Sequence, residues 1–250
     1  MENTTQIQEG VPIKTVTFRR AYIWQLPVRF FHWINGFAIT FLIITGFLIA
    51  NPPAIMTAKE ASGQFWMGLI RQVHFISAYA MVAVMFMRVY WAFVGNRFAN
   101  WRQFVPFDKK GREKMWHVIK YDIFLFNEKE YKFTNIPIGH NAVAAASYLV
   151  MFILAVVMVF TGFALYAPTS TWFFPKFFAW ATSLITTDEF LIRRIHHIVM
   201  WAFILFIAVH FYLVLFHDWL EGLGESSAMV SGYKFCRTER FEDYKEEEKH

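Results

Sequence analysis

The sequence predicts an all-α integral membrane protein, a four-transmembrane-helix bundle with interfacial helices. Three observations predict it. Apolar residues make up 56% of the 250 and aromatic residues 20%, more than a soluble domain of this size carries. They gather in four runs of more than twenty residues, the length a bilayer core about 30 Å thick requires. The basic residues between the runs alternate between crowded and sparse connections, as they do when loops fall on opposite sides of a membrane.

In chain order, residues 1–27 form a polar tail with Lys14, Arg19 and Arg20. No signal peptide is expected, and Arg19-Arg20 suits a basic flank better than a twin-arginine signal. The first span is about 28–50, stopped by Asn51-Pro52-Pro53. The second is about 66–94, ended by Gly95-Asn96. Residues 95–140 are the longest connection, and an amphipathic helix near 111–126 is expected to lie on the membrane surface there. The third span is about 141–166, followed by Pro168. Residues 172–185 are apolar but too short to cross, so a second interfacial segment is expected. The fourth span is about 194–218. The charged tail from Glu221 is expected to be partly disordered. The whole, residues 1–250, reads as one membrane domain.

Lys and Arg number 4 in the first tail with Arg29, 9 in the 95–140 loop and 5 in the last tail, against 2 and 3 in the other two loops. The positive-inside rule then puts both termini and the large loop in the cytoplasm. Cys236 is the one cysteine, which excludes an intrachain disulfide, a C-x-x-C-H haem attachment and an iron–sulfur cluster held by this chain alone. A redox cofactor here would be non-covalent and held by histidine.

Ionisable groups inside a bilayer are costly and mark function. His196 and His210 lie fourteen residues apart on the fourth span. That spacing returns to nearly the same helix face and separates them by about 21 Å. His74 near the outer end of span two matches the depth of His196. His32 near the inner end of span one matches His210. Two histidines at one depth on different helices supply both axial ligands of a b-type haem. The pattern therefore predicts two haem b, an outer one on His74/His196 and an inner one on His32/His210. A six-coordinate iron of this kind suits electron transfer.

An internal repeat, LIRQVH at 69–74 and LIRRIH at 191–196, supports equivalent roles for His74 and His196. Arg88 stands fourteen residues beyond His74, where span four has His210. Arg71 and Arg193 precede the outer histidines by three residues and could pair with haem propionates, as could Arg88 at the inner haem. Gly46 and Gly162, each in a Thr-Gly-Phe, either admit a flat macrocycle or let helices pack closely. His197 competes with His196, and the repeat favours His196. His140 could rival an inner ligand, sit near a quinone or simply start span three, the last being preferred. His117 is expected at the interface and His250 at the terminus. His217-Asp218 could handle protons or merely end span four. A haem-free anchor or transporter with histidine proton relays remains the contrasting class, and a stand-alone ferric or ascorbate reductase a further one.

The segments PVRFFHW (27–33), ITGF (44–47), FWMGLIRQVHF (65–75), MRVYWAFVGNRF (87–98), IGHN (138–141), FTGFALY (160–166) and RRIHHIVMWAF with VHFY (193–212) carry a resemblance. With them the chain resembles the cytochrome b subunit of membrane-bound nickel–iron uptake hydrogenases, in a wider family that includes the formate dehydrogenase gamma subunit. The family's four ligand positions match His32, His74, His196 and His210. The resemblance implies a bacterial inner-membrane cytochrome that anchors a periplasmic hydrogenase. It would pass electrons from that enzyme's iron–sulfur subunit to quinone, without activating hydrogen itself. Implied partners are the small (iron–sulfur) and large (nickel–iron) subunits, a quinone and the lipid bilayer, with no nucleic acid. The same architecture serving another periplasmic oxidoreductase, such as formate dehydrogenase, is the runner-up.

Overall fold

In the computed structural model, four helices are long and apolar enough to cross a membrane. The structure describes residues 17–54, 65–104, 112, 113, 116, 138–140, 142–180 and 188–238. In order these are strand β1 (Phe18–Tyr22), helix α1 (Leu26–Ala50), α2 (Trp66–Val94), α3 (Ala142–Tyr166), the short α4 (Phe173–Phe177), α5 (Glu189–Glu221), α6 (Glu225–Ser231) and strand β2 (Tyr233–Arg237). Single 3-10 turns occupy Trp101–Gln103 and Ala167–Thr169.

Local chemistry sets the ends. Proline in the first turn of α1 gives up an N–H that would have no partner there. Asp188 caps α5, its carboxylate accepting from the Phe190 N–H at 2.8 Å, and Glu189 sits favourably in the first turn. Gly222 ends α5 in the left-handed conformation at φ 62°. The fourth span therefore begins earlier and ends later than hydropathy alone suggests.

The bundle packs α1 on α2 and α3 on α5. A central core joins α3 and α5 through Ala155, Val199 and Phe203, with Ile39 of α1 and Met85 of α2 packed against it. The segment after α3 folds back as α4, and Phe174 and Phe178 pack on Phe163 and Tyr79. Within the expected short segment, Phe173–Phe177 is a helix packed against the end of the bundle. Residues 181–187 of that expected segment lie outside the described residues. So does most of the surface helix expected near 111–126, with His117, and so do residues 1–16 and 239–250, with His250.

The tails depart most from expectation. Residues 222–238 are folded, and the bundle carries a small sheet that an all-α reading omits. Strands β1 and β2 pair antiparallel from Phe18↔Arg237 to Tyr22↔Tyr233. Arg20 stacks its guanidinium 3.9 Å over the Tyr233 ring. Helix α6 lies against α1, where Arg29 Nη1 donates to the Val230 carbonyl at 2.5 Å and Trp33 Nε1 to that of Met229 at 3.1 Å. The charged tail folds because its core is apolar: Ala21, Ile23, Trp24, Ala228 and Cys236 are buried with Val28, Phe31 and Val84 of the bundle. Burial pushes the Cys236 thiol up, away from the reactive thiolate. Lys234 is 3% exposed and paired with Glu225. Asp218 accepts from Glu225 N–H at 2.7 Å and from the Ser226 hydroxyl, so it caps α6. Strands β1 and β2 thus meet at one face of the bundle, together with the start of α1 and the end of α2.

Candidate haem sites

The outer site lies where α1 meets α2 and α3 meets α5. Thr45 Oγ1 is 2.8 Å from Nδ1 of His74, and Thr161 Oγ1 is 2.8 Å from Nδ1 of His196. Each threonine also lies on a carbonyl of its own helix, Phe41 at 2.5 Å and Val157 at 2.7 Å. A hydroxyl has one proton. Donating it to the carbonyl leaves the oxygen to accept from the imidazole Nδ1–H. Both rings are thereby set as the Nδ1–H tautomer, with Nε2 bare to bind a metal.

The glycine after each threonine faces the same ring. A Cβ on Gly46 would meet His74 Cε1 at 3.8 Å and Met200 Sδ at 3.7 Å; on Gly162 it would meet His196 Cε1 at 3.2 Å. Gly162 thus gives the His196 imidazole room against α3, whereas a Cβ on Gly46 would make only ordinary contact with His74. Met200, one turn after His196, brings α5 to the same place as α1 and α2. His197 is half-buried and has no hydrogen bond among the described residues. Arg71 and Arg193 are exposed one turn beyond His74 and His196.

The inner site joins α1 to α5. The rings of His32 and His210 are 6.4 Å apart between centroids. Two metal–imidazole bonds of about 2 Å end to end, plus two ring radii, span about 6 Å. Phe206, one turn before His210, stacks on it at 5.6 Å, and Tyr148 of α3 meets it edge-on at 6.2 Å. Among the described residues, three buried polar atoms along α1 lack hydrogen-bond partners, Arg29 Nε, His32 Nδ1 and Asn35 Oδ1. Orphaned buried donors and acceptors are costly and call for a ligand.

Arg88 of α2 lies over Phe104 at 4.6 Å and Phe31 at 5.5 Å, with no carboxylate partner among the described residues. His140 is packed by Trp24 at 4.6 Å, Tyr148 at 4.9 Å and Phe104 at 5.5 Å. Burial, then the charges of Arg88 and Lys234, push His140 down to about 3, so it is neutral at physiological pH. It joins the inner site as a neighbour of His210 through Tyr148 and is more than a helix-starting residue. His217 Nδ1 lies 3.0 Å from the Leu213 carbonyl of its own helix turn.

The donor set fits haem. No cluster of three or more His, Cys, Asp or Glu among the described residues could hold a bare ion. Paired imidazoles suffice only for a metal whose other ligands come with it, as in a porphyrin. The free Arg29 Nε suits a propionate. Thr45, Thr161, Arg29, Asn35 and Tyr148 escaped sequence reasoning. The repeated Thr-Gly-Phe was the signal for the threonines, but only its glycine drew notice.

Known proteins share this arrangement of sequence. The chain is 36% identical over 227 residues, 88% of this chain and 84% of the relative, to a probable Ni/Fe-hydrogenase B-type cytochrome subunit of Rhodobacter capsulatus. It is 32% identical over 237 residues to one of Cupriavidus necator, covering 93% and 94% of the two chains. It is 34% identical over 222 residues to a probable Ni/Fe-hydrogenase 1 B-type cytochrome subunit of Escherichia coli K12, covering 85% and 90%. The family model described as prokaryotic cytochrome b561 matches residues 23–232, which take in all four long helices and α6, and this multi-pass membrane protein belongs to the prokaryotic cytochrome b561 family.

Proposed function

We propose that this chain is the di-haem b-type cytochrome subunit of a membrane-bound Ni/Fe hydrogenase. It anchors the catalytic subunits at the periplasmic face and conducts electrons across the membrane to quinone. The observation that supports the reading is that His196 and His210 stand on one unbroken helix, with the His32 ring 6.4 Å from that of His210 and Met200, one turn after His196, brought to Gly46 beside His74.

His74 and His196 would hold the outer haem b, and His32 and His210 the inner one. Bound there, the two haems supply one-electron transfer between the two faces of the membrane. The protein's part is to fix and insulate. Thr45 and Thr161 orient the outer imidazoles. Half-buried Arg29 and Arg88 would give positive charge for propionates at the inner site, and exposed Arg71 and Arg193 would do so at the outer surface. Phe206 and Tyr148 pack the inner pair and exclude water.

The basic connections put both termini in the cytoplasm of a bacterial inner membrane. The partners are then a small iron–sulfur subunit and a large nickel–iron subunit outside, lipid around, and quinone near the inner haem. Purification from the native membrane tests this. The expected result is two haem b per chain and copurifying hydrogenase subunits. A chain carrying no haem overturns the reading. A copurifying formate dehydrogenase would reassign the partner and keep the cytochrome.

A further inference from the structure

The two proposed haem sites differ in what stands behind their histidines. At the outer site both imidazoles donate Nδ1–H to a threonine oxygen at 2.8 Å. At the inner site His32 Nδ1 is buried without a hydrogen-bond partner among the described residues, and no threonine stands against His210 as Thr45 and Thr161 do against the outer rings. The charge nearby also differs. Arg88 sits by the inner site without a carboxylate partner among the described residues, whereas Arg71 and Arg193 are exposed, where solvent screens them.

We propose that Thr45 and Thr161 are positioning residues that lower the reduction potential of the outer haem below that of the inner one, so that the gradient drives electrons inward. This rests on the reading of the four histidines as ligands. An acceptor on Nδ1–H makes the imidazole a stronger donor through Nε2. A stronger donor stabilises the more positive, oxidised iron and so lowers the potential. An unpartnered ring gives less of this. A half-buried guanidinium at the inner site, Arg88, acts the other way and favours the reduced iron. The bonds also fix ring rotation, because each threonine is itself tied to its helix by the Phe41 or Val157 carbonyl. The two arms are equivalent: Thr45 of α1 holds His74 of α2, and Thr161 of α3 holds His196 of α5.

The test is an optical redox titration with electron paramagnetic resonance on the detergent-purified complex. His196→Ala first identifies the outer component by its loss; if no haem is lost, the ligand reading fails, separately from this proposal. In the parent protein the outer component should be the one of lower potential. Thr45→Val and Thr161→Val should each raise its potential and shift its low-spin resonance, leaving the inner component unchanged. Thr45→Ser and Thr161→Ser, which keep the acceptor, should restore the parental values. Where valine removes the outer haem altogether, serine holding it at the parental potential supports the proposal equally, and serine behaving as valine overturns it. An outer component of higher potential, or valine variants with unchanged potential and resonance, also overturns it.

Discussion

The Thr161 hydroxyl lies 2.8 Å from Nδ1 of His196 and, with its own proton committed to the Val157 carbonyl, accepts from that ring. Its neighbour His197 has no such partner. The bond separates two adjacent histidines that sequence alone leaves in competition. His196→Ala should therefore halve the haem bound per chain, while His197→Ala should keep both. A pyridine haemochrome assay on the purified variants decides; loss of haem from His197→Ala alone would reverse the assignment.

At the inner site, His210→Ala should remove one haem and abolish quinone reduction, while hydrogen-to-dye activity of the attached catalytic subunits persists. Both activities are measured on the same membranes. Quinone reduction that survives in this variant would contradict the electron path through the inner pair.

Gly162 and Gly46 should respond differently to alanine. A Cβ at Gly162 meets His196 Cε1 at 3.2 Å, tighter than ordinary contact, and the ring it meets is tethered to Thr161. At Gly46 the contacts of 3.7 and 3.8 Å are ordinary. Alanine there also gains about 1 kcal/mol of helix propensity over glycine. Gly162→Ala should weaken retention of the outer haem on heating, and Gly46→Ala should leave it equal or better. Thermal loss of the visible absorbance band compares the two.

His140 should make the protein acid-sensitive. Its pKa falls from 6.5 to about 3 on folding, first through burial and then through Arg88 and Lys234. Between those values the unfolded chain binds a proton that the folded chain does not, so stability drops as pH falls through that window and is fully retained above it. His140→Phe should flatten this part of the stability–pH curve relative to the parent. Melting temperatures in detergent from pH 7 to pH 4 would show it, and parallel curves would rule it out.

Breaking the Lys234–Glu225 pair should loosen the closing sheet. Lys234 is 3% exposed and Glu225 29%, so removing the carboxylate strands the buried ammonium, at a cost of about 3 kcal/mol. Glu225→Ala should lower the melting temperature, while Lys234→Ala with Glu225→Ala should recover part of the loss, as differential scanning fluorimetry in detergent would show.

The four spans were legible because bilayer thickness and helix rise fix them from length alone, and the fourteen-residue spacing of His196 and His210 falls on one unbroken helix. The threonine bonds were not. A threonine inside a membrane helix ordinarily satisfies its hydroxyl on its own backbone, as Thr45 and Thr161 do, so a second bond to another helix shows only once the helices are packed. His140 was seen as a helix start because nothing in the sequence brings Trp24 and Phe104 to it. The strands Phe18–Tyr22 and Tyr233–Arg237 were hidden for a different reason: each is short and charged, and neither has a partner nearby in the chain.

That pairing has a consequence for biosynthesis. Thr17 and Thr238 are hydrogen-bonded across 221 positions of chain. The first strand must wait for nearly the whole polypeptide to leave the ribosome before it can pair. Until then α1 lacks the α6 carbonyls that Arg29 and Trp33 hold, and the end of the bundle next to His32 stands open. Closure of the sheet therefore waits on the C-terminal strand, which completes the fold around the start of α1.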